Sequence, residues 1–515
     1  MKRIIACIIV TAMLVACFAS CSGGDLSIDI DCTISEETLE YTLFANDLSA
    51  YNEPNRVVEK WEKQFNVKLN LDGSGADWME TLSLRINSDD MPELFFYVPN
   101  DPNYMAAYSN FVKKLLVLPL SDLATKEDAP NLHALLSVDD YSDLTVNGKM
   151  YFMPAPNIDF NNTIYVRRDW MDQLGIQTPK TIDEFTAMLK AFTDLDPDGN
   201  GKKDTYGMAA SKVFEWLSYF RLSFGVKPGW SKTGGEWHLD AFTPAYRDFL
   251  TWMRDLYEKG YLKNEFYLYD DSDAMNDFYN GKAGVAVFNG GRATGGVTYL
   301  MRRLNKDAVV DVIPMPDGVA KGGYTANGKW WGGWSIAYDA KEPMRLVKML
   351  DYFCSEEGIE ERLYGLKGIH YDKDAAGEIV PNFEERLKEK MFGATDDGKP
   401  RDVFAVGAYF GSAYKIVNNK LADNISKSIY SESELAQRSS EYGNGSMVRA
   451  FPMDTFSLGE EYAKTYSKVA DRIYTYSVRI VAGNIGLEEG LERMHSTADS
   501  DGYATLQKII KEAYD

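Results

Sequence analysis

Apolar positions along the chain change period in a regular way. Leu39-Glu-Tyr-Thr-Leu-Phe-Ala45 alternates and reads as a first strand. Asn52 to Phe65 carries Val57, Val58, Trp61 and Phe65 at helical spacing, and Val67-Lys-Leu-Asn-Leu71 reads as a second strand. Trp78 to Asn87, with Leu82, Leu84 and Ile86, reads as a second helix. Leu94-Phe-Phe-Tyr-Val98 is wholly apolar, as a parallel strand covered on both faces should be. Strand, helix, strand, helix, strand predicts a doubly wound α/β lobe. Ligands of such sheets bind beyond the carboxyl ends of the strands. Those ends are Asn46-Asp47, Asp72-Gly73 with Trp78 nearby, and Tyr97 through Asp101.

The pattern then repeats with different punctuation. Gly148 to Pro154 is β-like, and the chain is expected to leave the first lobe there. Ile164-Tyr-Val166 continues as a strand, and a short helix over Trp170–Leu174 ends at Gly175. Thr181-Ile-Asp-Glu184 is a capping box that opens a helix to about Phe192. Thr243 with Pro244 behind it should cap a helix to about Lys259. A short helix over Ala274–Gly281 precedes a strand over Ala283–Phe288 that ends at Asn289-Gly-Gly-Arg292. Val309 to Pro316 reads as a strand returning to the other lobe. Trp330, Trp331 and Trp334 follow in a glycine-rich segment, then a helix over Glu342–Phe353. The remainder reads as mostly helical, closing with Glu460–Ala482 and Tyr503–Tyr514. The expected division is a first lobe of residues 39–152 plus 316–355 and a second of 153–315 plus 356–515.

Composition narrows the classes. The 515 residues hold 55 Lys and Arg against 77 Asp and Glu, a net charge of -22. Nucleic acid or an anionic membrane surface would demand clustered cations, so neither is an expected partner. Ahead of the first strand, Met1-Lys-Arg3 is basic and Ile4 to Phe18 is apolar, too short to span a bilayer comfortably and shaped like a secretory signal. Small residues and then cysteine follow twice, at Leu14-Val-Ala-Cys17 and Phe18-Ala-Ser-Cys21, both similar to a bacterial lipobox. Cys17 has the better upstream match. Cys21 has the better downstream one, since Ser22-Gly-Gly24 opens a polar tether, and it is the preferred lipidation site with Cys17 left open. That gives a signal over 1–20 and a flexible tether over 21–38. A diacylated cysteine would hold the protein on the outer face of the cytoplasmic membrane. Beyond these, Cys32 and Cys354 remain, and one pair without a pattern does not establish a disulfide.

The most chemically specific stretch is Asp194-Leu-Asp-Pro-Asp-Gly-Asn-Gly-Lys-Lys-Asp-Thr-Tyr-Gly207. With Asp196 as first position, oxygens fall at Asp196, Asp198 and Asn200, Gly201 takes position six, the Lys202 carbonyl position seven and Asp204 position nine. This is the first half of an EF-hand loop, in which alternate oxygens converge on one cation and the glycine permits the turn. Position twelve is Gly207 rather than a bidentate Glu. A frame starting at Asp194 places Lys202 and Thr205 where oxygens are needed. A solvated turn explains the same residues, but three carboxylates this close repel unless a cation or water separates them.

Several pieces together resemble the extracellular solute-binding proteins of ABC importers, in the lipoprotein branch that handles sugars. They are the lipobox, Asn55-Arg-Val-Val-Glu-Lys-Trp-Glu62, Ser88-Asp-Asp-Met-Pro-Glu-Leu94, Gly148-Lys-Met-Tyr151, Arg167-Arg-Asp-Trp-Met-Asp-Gln-Leu174 with Pro179-Lys-Thr, the Asp-rich loop and the terminal Ile509–Tyr514 helix. The resemblance implies a two-lobed α/β fold of the periplasmic-binding type II class. Each lobe would be a doubly wound sheet, with a helix-rich C-terminal part, and hinge crossings would close on a solute. It implies an oligosaccharide ligand, an ABC permease partner and a monomer. In alginate-oligosaccharide-binding members a loop of this spacing holds a structural calcium, which carries over to Asp196, Asp198, Asn200, the Lys202 carbonyl and Asp204. The family pattern places an acid next, where this chain has Thr205.

Sugar sites combine flat aromatic faces with planar polar groups. The strand-end rule selects Asn46, Asp47, Trp78 and Asp101 on the first lobe, with Asn289, Arg292 and Trp334 on the second strand group. The competing class is a secreted glycoside hydrolase, which needs only two placed carboxylates. Against an enzyme, the chain has no G-x-S-x-G, H-E-x-x-H, Walker or G-x-G-x-x-G motif, and His133, His238, His370 and His495 are scattered. A lipid-anchored scaffold is a third class, disfavoured by the α/β pattern. No catalytic residue is expected.

Overall fold

A computed structural model describes residues 32–45, 48, 55–73, 78–98, 111–137, 144–156, 162–212, 219–289, 301, 306–325, 330–377, 379–386, 388, 435, 438, 441–442, 447–448 and 458–515. The strands in chain order are β1 (Leu39–Phe44), β2 (Val67–Asp72), β3 (Leu94–Tyr97), β4 (Met153–Pro156), β5 (Asn162–Arg167), β6 (Tyr206–Met208), β7 (Trp230–Thr233), β8 (Glu236–Leu239), β9 (Ala283–Asn289), β10 (Val310–Ile313), β11 (Tyr324–Thr325) and β12 (Trp330–Ile336). The principal helices are α1 (Arg56–Phe65), α2 (Trp78–Asn87), α3 (Pro130–Leu136), α4 (Arg168–Leu174), α5 (Ile182–Asp194), α6 (Pro244–Glu258), α7 (Asp271–Tyr279), α8 (Pro343–Cys354), α9 (Glu356–Tyr364), α10 (Gly459–Val481), α11 (Leu487–Ser500) and α12 (Tyr503–Tyr514).

The first sheet has the order β2-β1-β3-β12-β4. β1 runs parallel to β2, with Leu39 opposite Val67, and parallel to β3. β12 lies antiparallel between β3 and β4. The apolar run Leu94–Tyr97 is buried at every position, as its composition requires. α1 starts where the Asn55 side chain accepts from the Val57 and Val58 amides, and it buries Val57 and Trp61 against the sheet. Trp61 meets Phe353 of α8 edge-on at 4.8 Å. Asp351 of α8 accepts from the Asn131 and Leu132 amides at 2.7 and 2.9 Å, capping α3 from a distant part of the chain.

The second sheet has the order β10-β5-β9-β6, with β5 antiparallel to both neighbours and β6 parallel to β9. The Thr181 capping box forms as read: Glu184 N–H donates to Thr181 Oγ1 at 3.2 Å and the Glu184 carboxylate accepts from Thr181 N–H at 3.3 Å. Thr243 behaves differently. Its hydroxyl donates to the Asp240 carbonyl at 2.7 Å and makes no cap bond, so Pro244 alone starts α6. α10, α11 and α12 pack with the β7–β8 hairpin around Trp230, Trp237, Tyr462 and Tyr503.

β4 pairs with β12, so residues 153–156 stay in the first sheet beyond the break placed after 152. Its two prolines are tolerated because β4 is the edge strand. Ile359, Tyr364 and Tyr371 lie in the first core with Cys354, so the chain remains in that lobe past 356. Cys32 is exposed, Cys354 is buried, and no disulfide joins the two. Burial pushes the Cys354 thiol up to about 12. Among the described residues no helix is long and apolar enough to cross a membrane. The signal segment with Cys17 and Cys21 lies outside the described residues.

Candidate functional site: an acidic loop and the strand ends

The Asp-rich loop joins the end of α5 to the start of β6. Lys190 draws Asp194 into an i,i+4 ion pair at 2.5 Å, and Lys203 approaches it at 3.6 Å, so Asp194 faces away from the loop centre. Asp196 opens the turn in the left-handed region (φ 50°), a conformation aspartate tolerates. Gly201 follows at φ 77°, which a side chain would strain, and its N–H donates to Asp196 Oδ2 at 3.0 Å.

The remaining oxygens gather on Asn200. Its amide nitrogen donates to Asp198 Oδ2 at 2.7 Å and to Asp204 Oδ1 at 3.2 Å, while its carbonyl accepts from Lys202 N–H at 2.7 Å. The amide hydrogens therefore play a cation's part between two carboxylates, but with no net positive charge. Burial pushes the Asp198 carboxyl above its usual range, and the Asp196 and Asp204 carboxylates add to the rise against the Asn200 N–H. Asp196 Oδ1 is buried without a hydrogen-bond partner. A buried carboxylate oxygen left in that state is costly. Among the described residues no three His, Cys, Asp or Glu groups already stand at metal-holding separation. The orphaned Asp196 oxygen and the converging Asp198 and Asp204 nonetheless form an oxygen-rich donor set that suits a hard cation such as calcium.

Two downstream residues explain the departures from a full EF-hand. The Thr205 hydroxyl donates to the Phe192 carbonyl at 2.9 Å, so it is turned to α5 and not to the loop. A Cβ on Gly207 would stand 2.7 Å from the Tyr261 carbonyl and 2.8 Å from Leu189 Cβ. No glutamate could occupy that position. β6 then leads to a buried carboxylate: Asp277 accepts from Tyr206 at 2.8 Å and pairs with Lys263 at 2.5 Å and Lys282 at 3.3 Å. Burial alone would raise its pKa, but the hydrogen bonds from Lys263 and Tyr206 hold it below the usual range.

The strand-end candidates separate. Asn46, Asp47, Asp101 and Arg292 lie outside the described residues, and Asn289 is described only as the last residue of β9. Trp78 begins α2, is almost fully buried, and tilts against Phe96 at 6.2 Å. Trp334 is a correction. Its ring is fully buried in the first core, edge-on to Phe96 at 5.6 Å, rather than open to a solute. The glycines around it are there because neighbouring rings press on the strand: a Cβ on Gly332 would meet Phe96 at 2.5 Å and one on Gly333 would meet Phe152 at 1.9 Å. Asp72, at the end of β2, is held by Arg85 at 2.5 Å. The missed features are the Asp277 network and the Thr205 anchor. Both depend on contacts between β6 and the helices packed on it, which leave no local sequence mark.

A family model described as bacterial extracellular solute-binding protein matches residues 46–360, more than half of the chain. The polygalacturonan/rhamnogalacturonan-binding protein YtcQ of Bacillus subtilis (strain 168) is 29% identical over 253 residues, which are 48% of this chain and 50% of that protein. Lipoprotein LipO of the same organism is 29% identical over 265 residues, 48% of this chain and 51% of that protein. The chain thus spans about half the length of the curated relatives it matches. The crystal structure of the alginate-binding protein AlgQ2 without calcium ion superposes with a TM-score of 0.69 at 17% identity, covering 94% of this chain and 99% of that one. The fold is therefore the two-lobed α/β fold of solute-binding proteins.

Proposed function

We propose, on the premise that the chain belongs to the bacterial extracellular solute-binding proteins, that it captures an oligosaccharide by hinge closure and passes it chemically unchanged to an ABC permease. The observation that carries this reading is the family match over 46–360, which runs through strands of both sheets. YtcQ, a relative named for binding polygalacturonan and rhamnogalacturonan, supports a carbohydrate as the solute class. In this reading the first lobe is the β1–β4 and β12 sheet with α1–α3, α8 and α9. The second is the β5, β6, β9 and β10 sheet with the C-terminal helices. Asn46, Asp47, Trp78 and Asp101 approach the solute from the first lobe, and Asn289 and Arg292 from the second.

Asp196, Asp198, Asn200, the Lys202 carbonyl and Asp204 would hold a calcium ion, which supplies charge neutralisation and no chemistry. The orphaned Asp196 oxygen and the mutual approach of Asp198 and Asp204 support this. A diacyl anchor on Cys21 places a monomeric protein on the outer face of the cytoplasmic membrane, a reading supported by the lipobox and by similarity to a named lipoprotein.

A glycan thermal-shift panel tests the proposal. One oligosaccharide class should raise the melting temperature, and chromatography should recover it intact. Cleaved product would indicate a glycoside hydrolase, and silence across neutral and uronate oligosaccharides would remove carbohydrate as the solute.

A further inference from the structure

Residues 21–38 read as one flexible tether, but the structure fastens the last part of it. Arg345 is almost fully buried in the first turn of α8. A cation there opposes the helix dipole, so something else must hold it. Its Nη1 donates to the Glu37 carbonyl at 2.9 Å and to the Asn66 carbonyl at 2.7 Å, and its Nη2 donates to the Ser35 carbonyl at 2.9 Å. Glu342 balances the charge at 2.5 Å and also accepts from Ser35 N–H at 3.1 Å.

Asn66 grips the same segment from α1. It sits in the left-handed region at the end of that helix, and its amide donates to the Glu36 carbonyl at 3.0 Å and to the Glu37 carbonyl at 3.3 Å. Its side-chain oxygen accepts from the Thr38 hydroxyl at 2.7 Å. The side chains of residues 32–38 are exposed, so the grip is on the backbone and not on an apolar face. Backbone recognition by a planar five-donor group is what arginine does better than lysine.

We infer that Ser35–Thr38 is a docked strap. Arg345 and Asn66 are the residues that fix where the N-terminal tether leaves the body. The strap lies at the amino ends of β1 and β2, where Leu39 stands opposite Val67. The solute end of the sheet is at the other end of β1, about 20 Å away for six residues at ~3.3 Å each. Fastening here keeps the point where the chain enters the sheet, at the amino end of β1, away from the solute end. The consequence for orientation at a membrane rests on the lipid anchor proposed above; the strap itself does not.

From Cys21 through the strap the chain has no Lys or Arg, and its only Glu residues are Glu36 and Glu37 within the strap, so a Glu-specific protease reads the strap directly. The lipidated full-length protein is reconstituted in phosphatidylcholine vesicles, digested briefly, and its cut sites are mapped by mass. Wild type should resist cutting after Glu36 and Glu37, while Arg345→Met should be cut there at least about tenfold faster and shed its body from the vesicles. Asn66→Gly, which suits the left-handed backbone and removes the amide grip, should be cut faster than wild type. It keeps the test valid if Arg345→Met does not fold. Equal cutting rates in wild type and the folded variants would overturn the strap. Failure of intact wild type to float with vesicles would overturn the anchor instead, while the cut rates would still judge the strap.

Discussion

Replacing Asp196 by Asn tests the acidic loop with two effects of opposite sign. Asp196 Oδ1 is buried without a hydrogen-bond partner and stands with Asp198 and Asp204 in one turn. Asparagine removes one of the repelling charges and keeps an acceptor for the Gly201 N–H, which now reaches Asp196 Oδ2 at 3.0 Å. Without calcium the variant should therefore be at least as stable as wild type. With calcium the order should reverse. A ligand that binds only the native state stabilises by RT ln(1 + [L]/Kd), about 2.7 kcal/mol at a hundredfold excess over Kd. In a lobe of ordinary size each kcal/mol moves the melting temperature by roughly 2–4 °C, so saturating calcium should raise the second-lobe transition by roughly 5–10 °C. Differential scanning calorimetry in chelator and in graded calcium reads both quantities. Magnesium is the control, because it demands a smaller and more regular oxygen cage. The reasoning fails if chelator leaves the wild-type transition where calcium leaves it. It fails equally if Asp196→Asn responds to calcium as strongly as wild type.

Two further substitutions probe parts that sequence reading misplaced or missed. Trp334→Ala should lower first-lobe stability by about 3–5 kcal/mol in urea titrations, because it empties a fully buried ring site. A loss of solute affinity with stability intact would return Trp334 to the solute face. Asp277→Asn should cost about 3 kcal/mol at neutral pH, since it leaves Lys263 without its buried partner. The folded pKa of Asp277 lies below its usual value, so its contribution is fully present above the unfolded value near about 3.9 and fades as pH falls through the lower folded value. Melting curves of the two proteins should accordingly converge as pH falls below the lowered folded value of Asp277, and a constant gap down to acid pH would contradict the assignment.

The first lobe was readable because its signals are local and redundant. β1, α1, β2, α2 and β3 fall within a few residues of where period, cap and composition place them. The Thr181 capping box needed only four residues to be seen, whereas the Asn55 cap of α1 comes from the structure, the sequence pattern starting that helix at Asn52. Legibility failed where the deciding contact came from far along the chain. Gly148 to Pro154 reads as a β-like stretch on which the chain leaves the first lobe, yet β12, far along the chain, pairs with Met153–Pro156 and makes it an edge strand of the first sheet. The Trp-rich glycine segment resembles a sugar platform, but its glycines answer to Phe96 and Phe152. α11 falls in the stretch expected to be mostly helical, but the sequence reading sets no bounds for it; it follows Gly486 as its N-cap and includes Gly490. A Cβ on Gly490 would stand 2.4 Å from Ile480, so the glycine serves the close approach of α11 to α10.

The position of the loop decides what a cation there can do. Tyr206, two residues past Asp204, pairs with Ala283 at the start of β9, and the proposed solute contacts Asn289 and Arg292 lie at and beyond its far end. Six residues of strand separate these points by about 20 Å. At that distance a calcium ion touches no solute, and its field is screened over two Debye lengths at physiological salt. Its influence must travel through the order of β6 and β9. Three contacts fix β6 in place: Thr205 on Phe192, Gly207 against Tyr261, and Tyr206 on Asp277. None of these contacts is made by a proposed cation ligand, so the strand pairing has support of its own. Chelation should therefore erode the stability of the second lobe well before it erodes affinity for the solute.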